Sequence, residues 1–228
     1  MLSEASLVQP PASGTFTTQT GTASLPNPTQ DGSTVLLLTF RNNSSSLEIL
    51  APGFMDDGPS LGAGGTTMLQ RRHREVFGGE NSWALDAQFT GAGNIFAWLA
   101  YEFASVDRVS PLEQYATNSG LSVATLSTGT TPTVAATDIA CIAVHSTSSA
   151  VTTMTPQTAG FVKGEEVTLT NGSGHITVMV SRSYPGAGGT YECTADLGGT
   201  MGLALGAMLV YQGAGELPVD PVGSVMTG

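Results

Sequence analysis

The chain has 228 residues and a formal net charge of −11, with only seven Lys and Arg residues. Nucleic-acid binding needs cations that neutralise phosphates, so this balance argues against DNA or RNA as a partner, and a basic membrane-surface helix is equally unsupported. Charged residues make up 11% of the chain, against about 25% in an average soluble domain. Uncharged polar residues must therefore cover much of the surface, which indicates contact with other proteins.

The two ends of the chain are predicted to be extended arms. Residues 1–32 are Thr-rich and contain Pro10, Pro11, Pro26 and Pro28. Proline donates no backbone hydrogen bond and fits neither a long helix nor a central strand. Residues 213–228 are predicted to be a similar tail. Arms of this kind are disordered or lie against a neighbouring subunit.

No targeting segment opens the chain, because Met1 is not followed by a basic region and a long apolar run. We therefore expect synthesis in the cytoplasm without a signal peptide. The longest apolar stretch, 201–210, contains two glycines and is about half as long as a bilayer-spanning helix. Membrane insertion is not expected.

Between the arms, short strands recur. Residues 34–40 form a continuous apolar run between turn residues, which is typical of a strand buried on both faces. Further strand-like runs follow at 83–89, 95–103, 138–144, 176–180, 191–197 and 203–211. A short helix is predicted at 111–115, with Ser110 as its cap, in a connecting segment. Several short strands with regular turns predict an all-β sandwich.

The chain also contains an internal repeat. Four features recur in the same order in both halves: Ser33–Ser46 matches Thr137–Ala150, Pro52–Asp57 matches Ala159–Glu166, Gly78–Gly79 matches Gly188–Gly189, and Leu99–Tyr101 matches Leu209–Tyr211. One layer of strands has an apolar face that it cannot bury alone. We therefore predict a β-sandwich over 33–212, built from related halves 33–106 and 137–212 that are joined by a linker at 107–136.

The residues that often carry chemistry form no recognisable motif. His73, His145 and His175 lack metal-ligand spacing, and we interpret them as surface histidines. Cys141 and Cys193 are interpreted as buried free thiols, with a cross-sheet disulfide as the alternative. The glycine-rich segments lack the Lys that a phosphate loop needs.

Two acidic pairs occupy equivalent places in the repeat, Asp56–Asp57 and Glu165–Glu166. Adjacent carboxylates could bind Ca²⁺ or serve acid–base catalysis, but a calcium site needs six to eight converging oxygens. We interpret the four acids as solvated loop residues. The sequence predicts no catalytic, cofactor-binding or metal-binding residue, no cofactor, and no enzymatic activity.

The succession of an apolar strand TVLLLTF, a Ser/Thr turn, Pro-Gly-Phe, a strand with Arg, Gly-Gly-Glu, a strand, a Gly turn and a strand ending in Ala-Tyr-Glu-Phe resembles the jelly-roll-like domains of tailed-phage virion proteins. Minor tail proteins of phages that infect actinobacteria are the most similar. The resemblance covers residues 30–212 and carries over no catalytic residue. It implies a jelly-roll-like sandwich in a virion, present in many copies, whose arms clasp other copies and other virion proteins.

Other functions remain open at this stage. A capsid decoration protein is one alternative within the same class. A carbohydrate-binding module for host-surface glycan is another, and it predicts a row of exposed aromatic residues on one sheet face. A glycan-degrading enzyme is a third, with Asp56, Asp57 and the Glu165–Glu166 pair as its candidate carboxylates.

Overall fold

The computed structural model describes residues 2–42, 48–63, 67–88, 95–136, 138–149, 153–172, 174–186 and 188–214. A 3-10 turn at Glu4–Ser6 precedes the strands β1 (Ala12–Phe16), β2 (Thr20–Ser24), β3 (Asp31–Asn42), β4 (Met55–Asp56), β5 (Leu61–Ala63), β6 (Thr67–Phe77), β7 (Ser82–Asp86), β8 (Ile95–Phe103), β9 (Leu112–Ser127), β10 (Ile139–Thr147), β11 (Thr155–Pro156), β12 (Val162–Asn171), β13 (Gly174–Ser183) and β14 (Thr194–Gln212). Within these ranges, no helix has the length and apolarity needed to cross a membrane. The predicted all-β class is confirmed.

The strands form two large antiparallel sheets and one small one. The first sheet has the order β1-β8-β3-β6-β4, with β5 also on β6. In the second sheet β9 pairs with β14, which is followed by β10, β13 and β12, while β11 joins the early part of β14. The small sheet contains β2 and β7.

The two large sheets pack face to face over one apolar core. The first sheet contributes alternate residues of its strands, and the second sheet does the same, as β-sandwich packing requires. The buried side chains of this shared core include Leu36, Leu38, Phe40, Leu69, Leu99 and Tyr101 from the first sheet and Ala140, Ile142, Val144, Val178, Val180, Leu209 and Tyr211 from the second. The predicted sandwich is confirmed.

The outer face of each large sheet is buried as well. Val35 and Leu37, which alternate with the inward residues of β3, pack in a second core against Trp83 and Leu85 of β7. The prediction that β3 is buried on both faces is confirmed. In the second half, the early part of β14 and the end of β9 fold over the outer face and bury residues such as Leu126, Ala195 and Leu197.

The strand order confirms that the two halves are related. The sequence β1-β8-β3-β6-β4 of the first sheet is repeated as β9-β14-β10-β13-β12 in the second. The registers also agree, because Tyr101 lies opposite Leu36 while its counterpart Tyr211 lies opposite Ala140. Each repeat therefore begins one strand earlier than the sequence indicated, with β1 in the first half and β9 in the second.

Residues 2–32 are consequently integrated into the fold rather than free to reach a neighbour. Strands β1 and β2 pair with β8 and β7 of the same chain. The buried carboxylate of Glu102 on β8 accepts hydrogen bonds from the side chain of Gln9 (2.5 Å), the backbone N–H of Gln30 (2.7 Å) and the hydroxyl of Ser33. Proline-free stretches between the prolines supply the strands, and β1 takes an edge position, as proline-rich flanks allow.

Two further expectations need correction. The predicted linker 107–136 contains β9, which is 16 residues long, and the predicted helix at 111–115 is wrong because β9 begins at Leu112. Register with β14 overrides the local helix-capping pattern at Ser110. The tail 213–228 lies outside the described residues beyond Ala214, whose N–H donates to the carbonyl of Ser105.

Replacement of Gly14 by alanine tests whether β1 is an integral strand. A Cβ atom at Gly14 would come within 2.7 Å of the Trp98 ring, so Gly14→Ala is expected to lower the free energy of unfolding by about 2 kcal/mol through overpacking. Urea denaturation followed by tryptophan fluorescence measures this loss. The exposed neighbour Ser13→Ala is the matched control. Equal stability of the two variants would contradict the placement of β1 on β8.

Candidate functional site

The acidic pair Asp56–Asp57 follows the strand rule that neighbours point to opposite sides. Asp56 is 62% exposed and forms an ion pair with Arg72 at 2.7 Å. Asp57 is buried, and its Oδ1 lies 2.5 Å from Nδ1 of His73 on β6. The interpretation of Asp57 as a solvated loop acid is therefore wrong.

His73 faces the same interior. With the Asp57 carboxylate at Nδ1, that nitrogen carries a proton, and Nε2 of a neutral ring is left as an acceptor. Both Nε2 of His73 and Oδ2 of Asp57 are buried and have no hydrogen-bond partner among the described residues. The expectation of a surface histidine is wrong for His73, and the pairing of β4 with β6 is the reason.

A cavity of about 360 Å³ opens beside this pair. It lies between β4 and β6 of the first sheet and the start of β9 in the second half. Its walls include Asp57, His73, Ser110, Glu113, Gln114 and Tyr115. We call this cavity and the residues around it, Arg71, Asp57, His73 and Tyr115, the Arg71 seam, because the buried guanidinium of Arg71 lies next to the cavity.

Arg71 is 1% exposed and points into the sandwich from β6. It donates to the carbonyl oxygen of Pro59 at 2.8 Å and lies over the ring of Tyr115, 4.4 Å from its centroid. Burial lowers its pKa, opposed by the nearby oxygens of Tyr211, Tyr115 and Asp57. Burial likewise raises the pKa of Tyr211 well above its usual value.

On the opposite side of the sandwich, Arg182 occupies the position equivalent to Arg71. We call its cluster with Glu165, Glu4 and Tyr101 the Arg182 seam. Arg182 on β13 lies opposite Ile142, as Arg71 lies opposite Leu38 in the first repeat. There Arg182 donates to both carboxylate oxygens of Glu165, at 2.9 and 2.7 Å, and to Glu4 at 2.9 Å. The hydroxyl of Tyr101 donates to Glu165 at 2.5 Å.

In this second cluster, each acid is paired with a neighbouring cation. Burial acts to lower the pKa of Arg182, but its hydrogen bonds and charge interaction with Glu165 outweigh burial and raise it. Burial and the neighbouring Glu165 charge raise the pKa of Tyr101 well above its usual value. The adjacent acid Glu166 pairs with Lys163. Neither Glu165 nor Glu166 is a solvated loop acid as the sequence indicated.

The positions of the two seams show whether the two acidic pairs could act on the same substrate. Asp57 lies where β4 and β5 approach β9, whereas Glu165 lies where β12 approaches β1 and β8. The two pairs therefore lie on different sides of the sandwich and do not flank a common substrate position. In the described ranges, no three His, Cys, Asp or Glu residues are grouped so that they could hold a metal ion.

Of the remaining candidates, Cys141, Cys193 and His145 lie between the second sheet and its outer layer. Cys141 and Cys193 are free, buried and part of one apolar cluster, so the interpretation as buried thiols is confirmed. Burial raises the pKa of Cys141 to about 12, which leaves it in the unreactive thiol form. His145 is fully buried rather than exposed. His175 is half-buried and pairs with the hydroxyl of Thr170 at 2.9 Å.

Removal of Arg182 tests how much the buried ion pair of the Arg182 seam contributes to stability. Arg182→Met leaves the largely buried Glu165 without its cation and is expected to lower the free energy of unfolding by about 3 kcal/mol. Chemical denaturation measures the loss. The control Arg108→Met breaks an exposed pair with Glu75 and should cost about 0.5 kcal/mol. Similar losses in both variants would contradict a special role for the buried cluster.

The buried ring of His145 predicts a pH-dependent stability. Burial lowers its pKa from 6.5 to about 4, opposed by backbone groups of Cys193 and Leu126. Between these values the unfolded chain binds more protons than the folded one, so stability present above pH 6.5 is lost as the pH falls. The expected loss from His145 is about 3 kcal/mol.

This loss can be assigned to one residue by measuring unfolding free energies from pH 7 to pH 4. His145→Gln should reduce the drop by most of that amount, because the titrating group is gone. His175→Gln, which removes a histidine elsewhere, is the control. An unchanged pH profile for His145→Gln would refute the assignment.

Comparison of the chain with protein-family models, with curated proteins and with solved structures finds no match.

Proposed function

We propose that this chain is a non-enzymatic structural component of a phage virion, as a minor tail protein, that assembles with further copies of itself and with other virion proteins. The resemblance of its strand and turn motifs to tailed-phage virion proteins supports the virion setting. The observation that carries self-assembly is the long unprotected edge strand β9. An exposed strand edge presents unpaired backbone N–H and C=O groups to another chain.

Strand β9 is unusually suited to such pairing. It extends over 16 residues, whereas most strands have about 3–10. Its other edge pairs with no strand in the part of the chain that the structure describes. Glu113 is its one charged residue, and it contains neither lysine nor proline. Leu121, on this strand, is 73% exposed.

The other edges of the two large sheets carry the features that normally prevent association. Strand β12 contains Lys163, Glu165 and Glu166, and its register is irregular between Lys163 and Glu166. Strand β1 has five residues, and β4 and β5 have two and three. Charges, irregular register and short length each blunt an edge. Among the described strands, β9 is left open.

A second copy is the partner that fits this edge best. A strand can pair antiparallel with its own copy around a two-fold axis, which satisfies the backbone groups of both. With the axis at Thr117, Glu113 of one copy would lie opposite Leu121 of the other, so the two acids would not face each other. The pair would also cover the groove that Leu121 forms with Leu203 and Ser119.

Two acidic substitutions on β9 test this assembly. Thr117→Asp would place like charges directly opposite each other at the axis, and Ser119→Asp would add a further charge diagonal to them. The double variant should convert an oligomer into the 23.3 kDa monomer. Light scattering of the purified chain measures the mass. The matched control is Thr22→Asp with Ser24→Asp on exposed positions of β2. A wild-type monomer, or an oligomer unaffected by the β9 substitutions, would argue against assembly through β9.

The virion setting needs its own measurement. Mass spectrometry of purified particles should detect the chain as a stoichiometric component. Labelled antibodies viewed by electron microscopy should mark the tail, whereas labels over the head would favour capsid decoration. Absence of the chain from purified particles would refute the proposal.

The carbohydrate-binding alternative receives less support from the structure. Both tryptophans, Trp83 and Trp98, are buried, so neither can serve as an exposed platform for a sugar ring. Among the described large side chains, Phe77 and Tyr115 are the exposed aromatic ones. They lie on strands of different sheets rather than in a row on one face. Glycan-array binding by the purified chain would revive this alternative.

A further inference from the structure

Two cavities lie along β9, one toward each end of the part that pairs regularly with β14. The cavity of the Arg71 seam contains the start of the strand, with Leu112 and Tyr115 in its lining. Further along the strand, Leu121 and Leu203 line a groove of about 430 Å³, which we call the Leu121 groove. Both cavities therefore border the strand whose free edge is proposed above to pair with a second copy.

The apolar side chains of both cavities lie on the same face of β9. In the pairing of β9 with β14, Tyr115 is opposite Leu209 and Leu121 is opposite Leu203. Residues that lie opposite each other on neighbouring strands share a face of the sheet. Leu209 belongs to the shared core, and Leu203 packs against that core. The side chains of Tyr115 and Leu121 therefore point to the side of the second sheet that faces the first sheet.

The two cavities differ in how the first sheet covers them. Residues 56–58 and His73 of the first sheet line the cavity of the Arg71 seam, across from β9. The described residues that line the Leu121 groove belong to β9 and β14, and Leu121 is 73% exposed. One end of β9 thus has a covered cavity, and the other end has a projecting leucine without a cover.

Pairing of two copies through β9 brings these unlike ends together. A two-fold axis perpendicular to the sheet continues the sheet, so the same face of both strands lies on the same side. With the axis at Thr117, Tyr115 lies opposite Ser119 of the other copy and diagonal to Leu121 of that copy. Diagonal neighbours are about 7–8 Å apart, which an aromatic ring can span. Leu121 of one copy would therefore point toward the Arg71 seam of the other.

The surface that the cavity offers to this leucine is apolar. The unpaired polar atoms of Arg71, Asp57 and His73 are enclosed in the interior, so they do not reach a partner. In contrast, Val109 is 86% exposed and Tyr115 is 39% exposed. A leucine placed against these two side chains removes apolar surface from water on both copies, which is favourable.

We propose that Leu121 of each copy enters the Arg71 seam cavity of the other copy, and that this contact sets the register of the β9 pair. The inference rests on the assembly through β9 proposed above, and it names the residue and the cavity by which one copy recognises the other. A polar strand specifies its register weakly through backbone hydrogen bonds alone. A leucine that fits a cavity at one position removes that ambiguity.

Replacement of Leu121 by alanine tests the contact. Leu121→Ala should weaken the dimer about tenfold or more, because each dimer loses two buried leucine side chains. Sedimentation equilibrium measures the dissociation constant. Val162→Ala on β12 is the matched control, since Val162 is 72% exposed and lies outside β9, and it should leave the constant unchanged. Equal dissociation constants for the two variants would overturn the proposal.

Nuclear Overhauser effects between copies show whether the leucine reaches the cavity. In a dimer mixed from a sample with ¹³C-labelled leucine methyl groups and an unlabelled sample, isotope-filtered spectra should connect Leu121 methyl protons with the Tyr115 ring of the other copy. Within one copy these residues are six positions apart, about 20 Å along an extended strand, which is too far for this effect. A dimer without the Leu121–Tyr115 signal would refute the contact.

The results for this contact and for the β9 assembly can be told apart. If the wild-type chain is a monomer, both proposals are wrong. If it is a dimer that the acidic substitutions on β9 dissociate, but Leu121→Ala behaves like Val162→Ala and the signal is absent, assembly through β9 stands and the contact is wrong. A weakened Leu121→Ala dimer together with the signal supports both.

Discussion

Each large sheet of this chain has an inner apolar face that it cannot bury by itself, and the packing of these two faces is the interaction on which the structure depends. Leu36, Leu38 and Phe40 of β3 meet Ile142 and Val144 of β10 in this core. Because burial of apolar side chains provides most of the free energy of folding, neither half is expected to be stable without the other. The outer layers add smaller cores, but they rest on sheets that the central contact holds together.

The duplication explains where the polar groups of the interior lie. Arg71 and Arg182 occupy matching places, and each faces a tyrosine of the opposite sheet, Tyr211 and Tyr101. A buried guanidinium must be compensated, since an uncompensated charge in the interior is strongly unfavourable. The second repeat compensates it with Glu165, while the first repeat uses a carbonyl and an aromatic ring. The same fold thus encloses one polar cluster in which the arginine is paired with an acid and one in which it is not.

The edges show a similar asymmetry. Strands β1 and β9 are equivalent, yet β1 has five residues and β9 has 16. In the longer strand, Ser122 adopts a left-handed conformation with φ of 56°, and the part that follows folds over the outer face of the second sheet. An edge of this length with one charged residue, Glu113, lies in a chain with a net charge of −11. The other charges lie elsewhere, so repulsion between copies does not protect this edge.

Apolar runs, turn glycines and the order of four repeated features are local or periodic properties, and they were sufficient to predict an all-β sandwich of two related halves. Residues 1–32 and 107–136 were misread because β1 and β9 are polar edge strands, whose pairing depends on partners that are distant in the sequence. The burial of Asp57 with His73 likewise depends on β4 meeting β6, and the closure of Glu165 depends on Arg182 and Tyr101 from other strands. The sequence by itself determined the apolar core strands, such as β3, β8, β10 and β13, and that two layers must pack. Only the tertiary structure decided which strand edges stay unpaired and which carboxylates are paired with a cation. These outcomes depend on cross-strand register and on contacts between the sheets, which no local sequence pattern encodes.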